Sequence, residues 1–206
     1  MTLVYSTGAV ILLLILWLGS GIRRIGAVST GTPIEQRPNE ALLLIDLQSI
    51  FWNHGPYSEA EKSSASAAVL KETEAAKSKA HPIIAIRQEW SIPSTKAVAK
   101  LAMKGQAIAG TDGTELATPF ASLPQHMIVK RVQDAFETGE LDALLAQLNI
   151  GKLRLVGLDF NYCIQKTALA AQNRGYDVTV VTPATLASAP TDAAKQKMSE
   201  AGVTLS

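Results

Sequence analysis

The chain of 206 residues contains one cysteine and three histidines, and its formal net charge is only +1. A single thiol, Cys163, excludes an intramolecular disulfide framework. The histidines His54, His81 and His126 lack the spacing of metal ligands, so we predict no catalytic metal and no other cofactor. No basic run is longer than Arg23-Arg24, and a nucleic-acid partner therefore has no electrostatic support.

Charge is also missing from the N-terminal stretch 3–22, in which residues 10–18 are almost purely aliphatic. About twenty such residues can cross a bilayer as a helix, so residues 1–22 are predicted to be one transmembrane anchor. Arg23 and Arg24 follow this stretch, and the positive-inside rule then places the main domain in the cytoplasm. Residues 23–39, rich in Gly, Ser, Thr and Pro, are predicted to be a linker. The alternative is a signal peptide, whose cleavage would leave an exported domain.

The remainder of the chain, 40–206, alternates short apolar runs with helical segments. Strands are predicted at 41–45, 82–86, 126–129, 153–157, 177–181 and 203–205, and helices at 58–80, 138–148, from 164 onward and at 191–201. Residues 91–124, punctuated by Pro and Gly, are predicted to be a long irregular loop. This alternation indicates one α/β domain with a mainly parallel sheet covered by helices on both faces.

Cys163 falls between a predicted strand and a predicted helix. Ligands of open α/β sheets bind at that edge, and helix N–H groups there favour a thiolate over a thiol. A thiol in such a place is a candidate nucleophile. A small buried apolar residue is an equally good interpretation, because free cysteine is among the most buried residue types.

Two other polar residues follow apolar strands in the same way, Asp46 and Lys130. Taken singly, Asp46 could be a turn residue or helix cap, and Lys130 a solvated strand end. Together with Cys163 they supply a nucleophile, a base and a fixed cation, which thiol-based hydrolysis requires.

Four segments resemble the isochorismatase-like cysteine hydrolase superfamily and occur in its order. DLQSIF at 46–51 is similar to its D-x-Q-x-x-F opening, and the segment 130–138, from Lys130 through Asp134-Ala135-Phe136, resembles its K-x-x-x-S-A-F segment. GLDFNYCIQKTA at 157–168 resembles G-[VIL]-x-T-[DN]-x-C-V-x-x-T-A, and 110–116 resembles the loop G-x-x-G-x-E-L. The resemblance covers most of the chain after residue 40.

The resemblance implies a single three-layer domain with a six-stranded mainly parallel sheet and an Asp-Lys-Cys triad formed by Asp46, Lys130 and Cys163. In such a triad Asp46 is the general base, while Lys130 and the helix N-terminus stabilise the thiolate that attacks an amide carbon. It further implies an oxyanion hole formed by the backbone N–H groups of Asp159 and Cys163, with a cis peptide bond at Leu158–Asp159.

Several positions depart from the family pattern. Asp159 and Phe160 stand where a small residue and threonine are usual, and Asp134 replaces a serine. The nicotinamidase branch has a histidine-containing metal motif after its second strand, whereas this chain has Arg87-Gln88-Glu89-Trp90 there, without histidine.

Cys163 favours hydrolysis of the C–N bond of a small amide, because family members that cleave a vinyl ether lack the cysteine. Trp52, Arg87, Glu89 and Phe160 are candidate substrate-binding residues, although each could also be a packing or solvated residue. The leading hypothesis is a membrane-tethered cysteine amidohydrolase with a small-molecule amide as substrate. A nicotinamidase proper and a non-catalytic, redox-sensing thiol module are the alternatives, and the family's habit of oligomerisation leaves a homo-oligomer open.

Overall fold

The computed structural model describes residues 2–206, with side chains described from Gly8 onward. The strands are β1 (Asn39–Ile45), β2 (Ile83–Gln88), β3 (His126–Lys130), β4 (Ile150–Gly157), β5 (Asp177–Thr185) and β6 (Thr204–Leu205). The helices are α1 (Thr2–Ile25), α2 (Ser49–Trp52), α3 (Glu59–Ser78), α4 (Pro93–Ala102), α5 (Glu140–Gln147), α6 (Gln165–Asn173) and α7 (Asp192–Glu200). A π-helical turn, Phe160–Ile164, leads directly into α6.

Strand β1 lies at the centre of the sheet, because its apolar run supplies side chains to both faces. Leu43 and Ile45 pack in the cluster that contains residues of α5, α6 and α7. Leu42 and Leu44 pack in a second cluster on the α3 face. Successive side chains of a strand point to opposite faces, so a continuous apolar run is what a strand covered on both sides requires.

All six strands are parallel, in the order β3-β2-β1-β4-β5-β6, which confirms the single α/β domain with a six-stranded parallel sheet. The chain moves outward in one direction from β1 and in the other from β4. Ligands of open α/β sheets bind at the carboxyl ends of the strands where the order reverses, here between β1 and β4. At that point Gly157 pairs with Ile45, and a Cβ on Gly157 would lie 2.0 Å from the Ile45 carbonyl oxygen.

Helix α4 corrects the prediction of an irregular segment over 91–124. Its ten residues begin at Pro93, directly after the N-cap residue Ile92. Proline is common at the first helical position, where its missing N–H has no helical partner to lose and its φ suits the helix. The prolines and glycines of this segment therefore mark one helix start as well as turns.

The residues before β1 pack against the rest of the fold. Between α1 and β1, residues 26–38 form neither helix nor strand. The backbone N–H of Ser29 donates to Oδ2 of Asp134 at 2.8 Å, and that of Ile34 donates to the carbonyl of Arg174 at 2.8 Å. The segment is therefore held to the surface beside β3 and α6.

Candidate active site

Asp46 is the first residue after β1, at the point where the sheet order reverses. Its φ of 53° lies in the left-handed region, which aspartate tolerates better than most residues and which recurs at functional sites. Its N–H donates to the carbonyl of Ile86 at 2.9 Å, so the backbone stays tied to β2. The residue is 1% exposed, and its Oδ1 is buried without a hydrogen-bond partner among the described residues.

Lys130 ends β3 and is fully buried at 0% exposure. Its Nζ lies 3.0 Å from Oδ2 of Asp46 and 3.2 Å from Sγ of Cys163. It also donates to Oε1 of Gln88 at 2.5 Å and to the carbonyl of Val132 at 3.3 Å. A buried ammonium requires such compensation, since an unpaired charge in the interior is strongly destabilising.

Cys163 lies in the π-helical turn just beyond β4, as its position between a strand and a helix predicts. The carboxylate of Asp159 caps this turn by accepting from the N–H of Asn161 at 2.8 Å. The Leu158–Asp159 peptide bond is cis, which confirms that implication of the resemblance. The structure thus brings Asp46, Lys130 and Cys163 together from three strand ends.

The charges of this cluster are shaped mainly by burial. Burial raises the pKa of the Asp46 carboxyl, and the charge of Lys130 offsets only part of this effect. Burial also acts against the Lys130 ammonium, but the negative charges of Asp46 and a Cys163 thiolate outweigh it and raise the pKa of Lys130. Burial and the charge of Asp46 raise the pKa of Cys163 as well. Desolvation therefore acts against the thiolate that the helix terminus favours.

A cavity of about 380 Å³ opens above this cluster. Its lining consists of Asp46, Phe51, Gly55, Pro56, Tyr57, Gln88, Trp90, Met103, Gln106, Gln133, Leu158, Asp159, Tyr162, Cys163 and Ser188. The volume falls within the range of about 300–1,000 Å³ that is typical of small-molecule sites. The thiol and the two residues expected to form the oxyanion hole, Asp159 and Cys163, border the same space.

The four residues predicted to bind substrate lie away from this lining. Trp52 is buried and packs edge-on against Phe120, with ring centroids 4.7 Å apart, and Phe160 is 1% exposed in the core. Arg87 donates to Glu89 at 2.6 Å and is engaged there rather than at the cavity. Trp52 and Phe160 gain most by packing in the core, because they are large and apolar, whereas Arg87 and Glu89 satisfy each other's charge.

Two groups of hydrogen bonds at the cavity, one around Gln88 and one around Asp159, were missed by sequence reasoning. Gln88 accepts from Lys130, and Gln48 in turn accepts from the N–H of Gln88 at 2.7 Å. Asp159 accepts from the Tyr57 hydroxyl at 3.2 Å and from the N–H of Ser188 at 2.6 Å. The available signals were the position of Gln88 at a strand end and that of Gln48 in the D-x-Q motif, but neither indicates the partner, which lies far away in the sequence.

The fold and this site define a parallel α/β protein with a buried thiol at the switch point of its sheet. The model of the Isochorismatase domain matches residues 40–206, and the chain therefore belongs to the isochorismatase family. Its structural neighbours share the fold described above.

Solved structures share the fold at low sequence identity. A pyrazinamidase of Pyrococcus horikoshii in complex with zinc is 24% identical, with a TM-score of 0.68 over 82% of this chain and 99% of that one. An N-carbamoylsarcosine amidase from Thermoplasma acidophilum is 23% identical, with a TM-score of 0.69 over 82% of this chain and 95% of that one. A nicotinamidase from Bacillus subtilis is 19% identical, with a TM-score of 0.64 over 82% of this chain and 99% of that one. The comparison with curated proteins found no match.

The described residues do not offer a donor set that fits a metal such as the zinc of the pyrazinamidase. The described residues hold no group of three or more His, Cys, Asp or Glu side chains placed to bind an ion. At the end of β2 the guanidinium of Arg87 occupies the carboxylate of Glu89, and a cation there repels a second one.

Proposed function

We propose that this protein is a cysteine-dependent hydrolase that cleaves the C–N bond of a small non-peptide amide through a thioester intermediate. One observation carries the proposal: the ammonium of Lys130 contacts both Asp46 and Cys163 directly beneath a cavity of small-molecule size. Family membership and neighbours that include an amidase and a nicotinamidase support the same reaction class.

In the first half of the reaction, Asp46 takes the proton of the Cys163 thiol. Its raised pKa makes it a stronger base than an exposed aspartate, and its Oδ1 has no competing donor among the described residues. The Sγ electron pair then attacks the amide carbon, and the electrons of the C=O bond move to oxygen. The backbone N–H groups of Asp159 and Cys163 stabilise that oxyanion, and Lys130 balances the transferred charge.

In the second half, the oxyanion collapses and the C–N bond breaks. Asp46 gives its proton to the leaving nitrogen, which departs as ammonia or an amine and leaves a thioester on Cys163. Asp46 then takes a proton from water, whose oxygen attacks the thioester carbon. The carboxylic acid leaves, and the Cys163 sulfur recovers the proton that Asp46 holds.

The two alternatives have less support. A nicotinamidase proper would need metal donors that the described residues do not assemble. A redox-sensing thiol needs a low pKa and access to solvent, whereas burial raises the pKa of Cys163 and leaves the residue 9% exposed.

We also propose that α1 is retained as a membrane anchor, with the domain in the cytoplasm. Within the described chain, one helix, α1, is long and apolar enough to cross a bilayer, and Leu18 and Ile25 near its C-terminal end pack against the domain. Large apolar side chains from Val10 to Trp17 are 42–65% exposed, as expected of residues that contact lipid. Ile25, at the end of the same helix, is buried in a hydrophobic cluster with Trp90 and Val98. Cleavage of α1 as a signal peptide would remove Ile25 from this cluster and expose it to solvent.

The test is ammonia release from a panel of small amides and ureido compounds by the full-length protein in detergent. We expect turnover that Cys163→Ala abolishes and that a metal chelator leaves unchanged. Turnover that survives Cys163→Ala, or that the chelator stops, would contradict the proposal. A matched control is Tyr162→Phe, which keeps the ring at the cavity mouth and leaves the buried cluster untouched.

A further inference from the structure

The anchor helix and the cavity share a wall. Ile25 of α1 is buried in one hydrophobic cluster with Trp90, and Leu18 packs against the same cluster. Trp90 lines the cavity, as do Phe51 and Met103, which pack against the same cluster. The wall of the candidate active site is therefore built directly on the end of the apolar helix, without an intervening flexible linker.

Helix α4 lies antiparallel to α1. Ile92, just before α4, lies beside Arg24, while Ser94 of the first turn contacts Gly21. A Cβ on Gly21 would lie 2.7 Å from the Ser94 carbonyl oxygen, so glycine permits this close approach. Leu18 packs in the cluster that contains Val98. Contacts thus move back along α1 as they advance along α4, and the C-terminal end of α4 points towards the apolar half of α1.

With α1 as the anchor, this arrangement sets the distance between the cavity and the bilayer. A helix rises about 1.5 Å per residue, so the eight steps from Trp17 to Ile25 span about 12 Å. Trp17 is suited to the membrane–water interface, where tryptophan is enriched. The wall that contains Trp90 then lies close to the headgroup layer, and the loop with Met103 and Gln106 lies nearer still.

The membrane-proximal end of α4 carries the side chains that such a surface favours. Lys96 and Lys100 are one turn apart on α4, and Lys104 follows just beyond its end. Leu101 is 75% exposed among them. Basic residues beside an exposed apolar side chain are suited to an anionic leaflet, which is the kind found on the cytoplasmic side.

The cavity itself is apolar and lacks a counter-charge for an acidic substrate. Phe51, Trp90 and Met103 form one side, and the charged lining residues are the acids Asp46 and Asp159. Among the described residues that line it there is no Lys, Arg or His. A substrate carboxylate would meet two acids and no exposed cation, whereas an apolar group gains contact area.

We infer that the substrate is an uncharged amide with an apolar body, which partitions into the bilayer and enters the cavity from the membrane surface. The inference rests on the proposed amide hydrolysis and the proposed membrane anchor, and it names the substrate class.

The first test compares amides that differ only in apolar length or in a terminal carboxylate. Full-length protein in phosphatidylcholine–phosphatidylglycerol vesicles is given butanamide, octanamide and the monoamide of octanedioic acid, and ammonia release is measured. We expect kcat/KM to rise about tenfold or more from butanamide to octanamide, because each buried methylene adds to binding. The monoamide of octanedioic acid should fall about tenfold or more below octanamide. A flat series, or preference for the carboxylate, overturns the inference while leaving amide hydrolysis intact.

If no amide is turned over, the proposed catalysis fails and the substrate class is tested by binding instead. Calorimetric titration of the Cys163→Ala protein in the same vesicles compares octanamide with the monoamide. Tighter binding of octanamide supports the inference by itself, and equal or weaker binding overturns it.

The second test addresses entry from the membrane. The double variant Lys100→Glu/Lys104→Glu should lower kcat/KM for octanamide about threefold or more in anionic vesicles, and leave hydrolysis of butanamide in detergent unchanged. The matched control, Lys71→Glu/Lys79→Glu, reverses two exposed lysines in and just after α3. Equal effects of the two double variants, or none from either, would overturn delivery from the bilayer.

Discussion

The Nζ atom of Lys130 lies 3.0 Å from Oδ2 of Asp46, and the two side chains are 0% and 2% exposed. Both residues lie at the carboxyl edge of one sheet. Asp46 follows β1 and Lys130 ends β3, and β2 lies between these two strands. A buried ion pair of this kind adds little stability over an apolar pair, but removing one partner leaves an uncompensated charge. Such an arrangement is better explained by chemistry than by folding.

Removing the ammonium should therefore cost more stability than removing the whole pair. We expect Lys130→Met to lower the free energy of unfolding by about 3–5 kcal/mol at neutral pH, because Asp46 is left buried without its counter-charge. Urea denaturation followed by circular dichroism measures it. The double variant Asp46→Asn/Lys130→Met should lose less stability than Lys130→Met alone. A Lys130→Met protein as stable as the wild type would contradict the account of this pair.

The pH profile of kcat/KM should be controlled by Asp46 on its acid side. The base must be ionised, and its pKa is raised by burial, so activity should fall as pH drops through a value above the ordinary aspartate pKa of about 3.9. On the alkaline side the Lys130 ammonium persists beyond its ordinary value of about 10.4, because Asp46 raises its pKa. Rates measured with octanamide, which does not titrate, test this. A rise in rate near the ordinary cysteine pKa of about 8.5 would instead indicate an independent thiol.

Tyr57 should support the loop that carries the expected oxyanion hole. Burial and the neighbouring Asp159 charge raise the pKa of Tyr57, so its hydroxyl keeps the proton that it donates to Asp159. We expect Tyr57→Phe to cost only about 1 kcal/mol of stability, because Asp159 retains its two backbone donors. We expect kcat to fall while KM changes little, because the hydroxyl supports the loop of the oxyanion hole. Thermal unfolding and steady-state kinetics measure the two effects. Tyr162→Phe is the matched control, and an equal loss in both variants would contradict this role.

Asp134 should hold the segment between α1 and β1 in place. Its Oδ2 accepts from the N–H of Ser29 and its Oδ1 from that of Phe136, each at 2.8 Å. Asp134→Ala leaves both donors without this partner, and we expect a loss of about 1–3 kcal/mol with faster proteolysis within residues 26–38. Limited proteolysis with mass spectrometry identifies the cleavage sites. Glu35→Ala, at an exposed position of the same segment, should leave the rate unchanged, and an unchanged rate in Asp134→Ala would contradict the role.

The sequence predicted those parts of the structure that depend on local interactions. The apolar runs predicted the six strands, and the positions of Asp46, Lys130 and Cys163 after three of them predicted that they would meet, because parallel strands end at one edge. Helix α4 was missed because Pro93 signals a helix start as readily as a break.

The substrate-facing part of the site depended on long-range packing. Nothing near Tyr57 in the sequence indicates that it reaches Asp159, and nothing near Met103 indicates that it joins the cavity wall. Trp52 and Phe160 lie next to the motifs, but their side chains are buried in the core. Their periodicity could not predict this, because it assigns a residue to a helix or strand and not to a pocket. The packing of α1 against this wall was equally hidden, because composition indicates only that the following segment is a connection.

The central claim is that a substrate acyl group becomes bonded to Cys163. The most direct measurement is mass spectrometry of the intact full-length protein after an acid quench during turnover of an amide. The account predicts an added acyl mass that maps to Cys163, disappears on treatment with hydroxylamine and is absent from Cys163→Ala. Turnover with no adduct, together with an active Cys163→Ala protein, would contradict it.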